Sequence, residues 1–146
     1  MTVGWPRAGP LLGGMIMTKP NLIYILADDM GYGDISALNE NCGFRTPNLD
    51  EMAENGICFT DAHATAAVCT PSRYGILTGR YNWRSRLKSS VMGGYSEPLI
   101  ERGRKTLTDM LKDNGYRTAM VGKWHLGMSF AKEEGFVEKP DFDACD

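Results

Sequence analysis

The sequence predicts an α/β domain with a largely parallel central sheet flanked by helices. Three apolar segments, at 21–29, 57–63 and 117–124, have the length and composition of strands. Segments 46–56 and 106–115 carry the start and stop residues of helices. Helices that alternate with strands along a chain favour a parallel sheet, since each helix can return the chain to the same edge.

The first strand segment, residues 21–29, is apolar from Leu22 to Leu26 without alternation, which is typical of a strand buried on both faces. It ends in Asp28 and Asp29. Paired aspartates commonly form turns or cap helices. Two adjacent carboxylates at a strand end can also begin a Ca²⁺ or Mg²⁺ site, and ligands bind outside the carboxyl ends of strands in open α/β sheets.

Two helices are marked by the residues at their ends. In the segment 46–56, Thr46 is the expected N-cap, Pro47 the first helical residue and Gly56 the residue after the end. The second of these helices is expected to begin at Thr106 and to stop at Gly115. We assign no chemistry to the segment 46–56.

A further helix is predicted where Cys69 precedes Thr70 and a proline, with Thr70 as the cap of the free N–H groups and Gly79 as the C-cap. The Cys69 sulfur is then expected at the positive end of the helix, with Arg73 one turn later. An anion at position 69 would meet a helix dipole and a guanidinium. A lone cysteine is otherwise most often a small buried apolar residue.

Lys123 and His125 stand at the carboxyl end of the third strand segment. On a strand, residues two apart point to the same side, so these two side chains are expected together and Trp124 is expected in packing. Packing around Trp124 could by itself account for this stretch. We interpret His63 as a structural, hydrogen-bonding histidine rather than a metal ligand.

Three motifs resemble one family. Cys-Thr-Pro-Ser-Arg at 69–73, followed by Leu-Thr-Gly-Arg at 77–80, resembles the signature of the type I (formylglycine-dependent) sulfatases of the alkaline-phosphatase-like superfamily. The stretch 28–34 resembles the N-terminal metal motif of that family, and 123–127 its second signature. The motifs occur in family order, and the resemblance, which spans 21–127, implies the N-terminal part of an alkaline-phosphatase-like sandwich.

The resemblance implies an enzyme that hydrolyses sulfate monoesters of sugars or aryl alcohols. Cys69 would be oxidised to formylglycine by a maturase, and the hydrated aldehyde would be the nucleophile. Arg73 and Lys123 would stabilise the hydrate and the sulfate, and His125 would be the base. The implied ligands of a Ca²⁺ ion, preferred over Mg²⁺, are Asp28, Asp29 and the modified Cys69.

The resemblance also implies groups that this sequence lacks, namely the remaining metal ligands, a leaving-group acid and a second sulfate-binding lysine. We therefore interpret residues 21–146 as the N-terminal portion of a sulfatase catalytic domain that does not turn over alone. Two alternatives stay open: a phosphonate or phosphate monoester hydrolase of the same superfamily, and a non-catalytic anion-binding remnant.

Composition limits the function classes. The chain has 146 residues, 42% of them hydrophobic and 23% charged, which is the balance of one soluble globular domain. A net charge of −2 and the lack of a basic cluster with aromatics disfavour nucleic-acid binding. The four cysteines, at 42, 58, 69 and 145, form no Cys-x-x-Cys pair, so a zinc knuckle is not indicated.

Two segments are expected to be irregular. Residues 1–20 are rich in proline and glycine and predict a disordered leader, or a start codon assigned too early, rather than a membrane span. They show no clear signal peptide, which leaves the localisation open. Residues 81–98 show no lasting helical or strand period and predict a surface loop beside the site, with basic side chains that are either solvated or steer an anion.

Overall fold

A computed structural model describes residues 19–131 and 139–140 of the chain. The chain divides between Ala62 and His63 into two compact units. The leader predicted for residues 1–20 lies outside the described residues, except for its last two positions. The helices are α1 (Pro47–Asn55), α2 (Cys69–Thr78) and α3 (Leu107–Asp113), with 3₁₀ turns at Tyr32–Asp34 and Asn82–Arg84, and the strands are β1 (Phe130–Ala131) and β2 (Lys139–Pro140).

The predicted parallel sheet is not confirmed. The described residues contain one sheet, the antiparallel pair β1 and β2, in which Phe130 lies opposite Pro140. The segments 21–29, 57–63 and 117–124 run without strand pairing. A strand requires a neighbouring backbone that completes its hydrogen bonds, and the described residues supply none to these segments. Most of their apolar side chains are accordingly exposed, Ile23 to 86% and Val121 to 100%, whereas Trp124 is half-buried.

Helix α1 has the predicted ends, with Thr46 at the N-cap position and Gly56 after the last turn. The predicted capping bond is wrong, because the Thr46 hydroxyl makes no hydrogen bond to a helix N–H. Thr46 and Ser36 instead each donate a backbone N–H to the other's hydroxyl oxygen, at 2.9 Å. The Asp50 carboxylate accepts from both hydroxyls, and the bond from Ser36 is the main cause that lowers its pKa. Asp50 thus ties the loop that contains Ser36 to α1.

Helix α3 is confirmed with both predicted ends. It begins at a capping box in which the Asp109 N–H donates to the Thr106 hydroxyl and the Thr106 N–H donates to the Asp109 carboxylate. The Thr106 hydroxyl also donates to the Asp109 carboxylate at 2.6 Å, and this bond, followed by the bond from the Thr106 N–H, lowers the pKa of Asp109. Gly115 follows the helix with a φ of +76°, a conformation that favours glycine.

The core of the second unit lies against α2. Tyr74 of this helix is fully buried together with Leu99 and Leu126, and Met92 completes the cluster. The Leu99 N–H donates to the Leu126 carbonyl at 2.8 Å, so the two leucines are fixed by backbone as well as by packing. Residues 81–98 contain no regular element beyond one 3₁₀ turn, as predicted for a loop, although Met92 is buried.

No helix in the described part of the chain has both the length and the apolar character needed to cross a bilayer.

Two glycines with positive φ provide a matched test of backbone packing. Gly127 has a φ of +75°, and a Cβ there would lie 2.2 Å from the Glu97 carbonyl oxygen. Gly79, the C-cap of α2, has a φ of +66° and nothing within 4 Å of such a Cβ.

We expect Gly79→Ala to lower the free energy of unfolding by about 1–2 kcal/mol, the cost of a left-handed alanine. Gly127→Ala should lose about 1–3 kcal/mol more, because backbone atoms must move to admit the methyl group. Urea unfolding of both variants and the wild type measures the difference. Equal losses would show that the contact with Glu97 does not constrain Gly127.

Candidate active site

Helix α2 begins two residues earlier than a Thr70 cap would require. Cys69 is its first residue, and the N-cap position is held by Val68, which makes no side-chain cap. The prediction that Thr70 caps the helix is therefore wrong, while the predicted C-cap, Gly79, is confirmed by its N–H bond to the Gly75 carbonyl. Cys69 is a free, half-buried thiol, as predicted at the positive end of the helix.

Thr70 connects α2 to two other segments of the second unit. Its hydroxyl donates to the backbone carbonyl of His125 at 3.0 Å and accepts the N–H of Met92 at 3.2 Å. The imidazole Nε2 of His125 lies 2.8 Å from the Met92 carbonyl oxygen. These three hydrogen bonds form a closed ring, which we call the Thr70–Met92–His125 ring.

Arg73 makes a second link to the same segment. It follows Cys69 by four residues and so lies one turn along the same face of α2. Its Nη1 donates to the backbone carbonyl of Lys123 in a short hydrogen bond. The structure therefore brings the first turn of α2, with Cys69 and Arg73, to the backbone of Lys123 and His125.

The geometry of His125 fixes the position of its proton. A carbonyl oxygen only accepts hydrogen bonds, so the Nε2 atom that faces the Met92 carbonyl must carry hydrogen. The Nδ1 atom is buried and has no hydrogen-bond partner among the described residues. In the neutral ring Nδ1 then holds a lone pair and can accept a proton.

Residues 123–125 reach these positions without the predicted strand. His125 has a left-handed φ of 55°, so the alternation of side chains expected from a strand does not apply to Lys123 and His125. The predicted packing of Trp124 is confirmed, since it packs against the core cluster and its Nε1 donates to the Gly127 carbonyl at 2.7 Å.

Asp28 and Asp29 belong to the first unit, where both are exposed. Asp29 has a left-handed φ of 60° and precedes a 3₁₀ turn in which the Asp34 carboxylate accepts the Gly31 N–H at 2.7 Å. Nowhere in the described ranges do three His, Cys, Asp or Glu side chains lie close enough to hold one metal ion. Two aspartates offer four oxygens, fewer than the six to eight that Ca²⁺ takes, so the described residues do not complete a calcium site.

Arg80 and Glu101 form a structural ion pair that the sequence did not reveal. The Arg80 Nη1 lies 3.8 Å from Glu101, whose carboxylate also accepts from the buried Tyr74 hydroxyl at 3.3 Å. The pKa of Glu101 is lowered chiefly by a hydrogen bond from its own backbone N–H and next by the bond from the Tyr74 hydroxyl. The charges of Arg104 and Arg80 lower it further. The pair links the residue after the C-cap of α2 to Glu101.

The basic side chains of the loop 81–98 hold the loop itself. Arg86 donates to the carbonyls of Glu97 and Pro98, and the Lys88 Nζ donates to the Trp83 carbonyl at 2.7 Å. Sequence reasoning also missed Met92, which contributes only backbone atoms to the ring and therefore leaves no residue-type signal.

Comparisons with known proteins place these motifs in a family. The family model described as Sulfatase matches residues 20–145. An N-acetylgalactosamine-6-O-sulfatase of Bacteroides thetaiotaomicron is 48% identical over 115 residues, which cover 79% of this chain and 22% of the relative. Human steryl-sulfatase is 40% identical over 128 residues, which cover 84% of this chain and 22% of the relative.

A solved structure described in connection with the metabolism of multiple glycosaminoglycans by Bacteroides thetaiotaomicron matches with a TM-score of 0.70 and 47% identity. The match covers 80% of this chain and 23% of that one. The likeness is consistent with an alkaline-phosphatase-like fold. This chain spans about a fifth of the length of the curated relatives it matches, and it belongs to the sulfatase family.

Proposed function

We propose that this chain carries the nucleophile side of a sulfatase active site that hydrolyses sulfate monoesters through a formylglycine derived from Cys69. The observation that carries the proposal is the pair of links from α2 to residues 123–125, made by Thr70 and Arg73. They bring a free cysteine at a helix start, a guanidinium and the Lys123–His125 segment into one region.

The substrate chemistry explains the need for such a nucleophile. A sulfate monoester is an anion with a poor alkoxide leaving group, so its hydrolysis needs a strong oxygen nucleophile, cations for the sulfuryl oxygens and proton transfer. A hydrated formylglycine supplies two hydroxyls, one that attacks sulfur and one that later expels sulfate. Cys69 suits this oxidation because it is a free thiol outside any disulfide and only half-buried.

Three further side chains have roles that follow from their chemistry. Arg73 and Lys123 would hold the sulfuryl oxygens, since both are cations that donate hydrogen bonds. A guanidinium has five N–H donors, and the Nη1 of Arg73 donates to the Lys123 carbonyl. His125 would take a proton at Nδ1, because its Nε2 proton is bonded to the Met92 carbonyl.

The alcohol part of the substrate is not selected by these residues. The relatives include a sugar sulfatase, a steryl-sulfatase and arylsulfatases, so their shared feature is the sulfate group. The side chains proposed here contact that shared group. A carbohydrate sulfate and an aryl sulfate are therefore both compatible with this chain.

The proposal predicts an aldehyde at position 69. Co-expression with an active formylglycine-generating maturase should convert Cys69 in this chain, because the recognised sequence 69–73 is short and linear. Mass spectrometry of the tryptic peptide 46–73 reads the conversion, with Cys69→Ala as the unmodified control. A peptide that retains only thiol, while the maturase modifies another substrate in the same cells, contradicts the proposal.

We further propose that Asp28, Asp29 and the modified Cys69 contribute ligands to a Ca²⁺ ion, with Mg²⁺ as the weaker alternative. The support is the family resemblance of residues 28–34 and the exposed pair of carboxylates.

Because two carboxylates supply too few oxygens, we expect this chain to bind Ca²⁺ with a Kd no tighter than roughly 10⁻⁴ M. Asp28→Ala should weaken that binding at least about tenfold. Removing a group that merely orients a metal ligand already lowers metal affinity by about tenfold, and Asp28 is proposed as a ligand itself. Glu51→Ala, which removes an exposed carboxylate of α1, should leave it unchanged. Isothermal titration calorimetry measures the Ca²⁺ affinity of the wild-type chain and of both variants. Submicromolar binding by the wild-type chain would refute the claim that the site is incomplete.

A further inference from the structure

Thr70 uses its hydroxyl in an unusual way for the second residue of a helix. Such a hydroxyl commonly bonds to nearby backbone of its own segment. The Thr70 hydroxyl bonds instead to Met92 and His125, which lie 22 and 55 residues away in the sequence. The Thr70 side chain is fully buried, so water does not replace these partners.

The direction of each bond in the Thr70–Met92–His125 ring is determined. The His125 carbonyl can only accept, so the Thr70 hydroxyl proton points at it, and the Met92 N–H then donates to the Thr70 oxygen. The Met92 carbonyl accepts the Nε2 proton of His125. The ring therefore fixes both the backbone and the imidazole of His125 relative to Thr70.

His125 needs such support because its backbone is in the left-handed region, with a φ of 55°. A residue other than glycine persists there only where its surroundings hold it. The hydrogen bond from Thr70 to the His125 carbonyl is one such restraint, and the burial of Leu126 is another.

We propose that Thr70 is a positioning residue for His125, which holds the imidazole with Nε2 protonated and Nδ1 as the proton acceptor at the start of α2. The use of Nδ1 in sulfate ester hydrolysis rests on the proposed function. The ring itself does not, so the two can fail separately.

Three variants isolate the hydroxyl of Thr70. Thr70→Val keeps the branched shape but leaves the Met92 N–H and the His125 carbonyl without their partner. Thr70→Ser restores the hydroxyl. Thr78→Val is the matched control, because it removes a hydroxyl from the other end of α2, where it bonds the Tyr74 carbonyl at 2.6 Å.

The readout is the solvent-exchange rate of the His125 Nε2 proton by NMR. The chain has two histidines, so a His63→Gln variant assigns the signal. We expect Thr70→Val to accelerate this exchange by about tenfold or more, and Thr70→Ser and Thr78→Val by less than about threefold. Urea unfolding in parallel separates this effect from general destabilisation. Similar exchange in Thr70→Val and Thr78→Val would overturn the proposal.

The wild-type chain provides a second test that needs no variant to fold. The ring predicts that the Met92 amide and the His125 Nε2 proton become exposed in one opening event, with the same dependence on urea. Different urea dependences would overturn the proposal. An intact ring in a chain whose Cys69 is never converted to aldehyde would refute the proposed function alone.

Discussion

The candidate site depends on two hydrogen bonds from the first turns of α2 to the backbone of residues 123–125. Thr70 and Arg73 donate to the carbonyls of His125 and Lys123. Because the acceptors are backbone atoms, these bonds set the path of the chain, and the side chains of Lys123 and His125 follow from it. Cys69 precedes Thr70 directly, so the same restraint places the cysteine.

Apolar packing stabilises this arrangement from the side of the core. Tyr74, one turn beyond Thr70, packs with Leu99 and Leu126, and Leu126 follows His125 directly. Gly127 continues the segment where the Glu97 carbonyl leaves no space for a Cβ. The bonds of Thr70 are thereby shielded from water. In such a buried environment a hydrogen bond is electrostatically stronger than in water, and a missing partner costs more free energy.

The sequence predicted what depends on local signals. The ends of α1 and α3 and the glycine after α2 lie where residues within a few positions of each end predict them, although the Thr106 side chain caps its helix and the Thr46 side chain does not. The central sheet depends on neighbouring backbones, which residues 21–29 and 117–124 do not meet in the described part of the chain. The long-range bonds of Thr70 could not be predicted, because Met92 takes part through backbone atoms that every residue has.

A chimera of this chain with a relative tests the proposed sulfatase function most directly. We would replace the matching segment of the Bacteroides thetaiotaomicron sulfatase, which is 48% identical, by this chain and measure hydrolysis of an aryl sulfate and the matched aryl phosphate. We expect the chimera to hydrolyse the sulfate ester in preference to the phosphate and Cys69→Ala to abolish this activity. A folded chimera that carries the aldehyde at position 69 and prefers the phosphate ester, or hydrolyses neither, would contradict the proposed function.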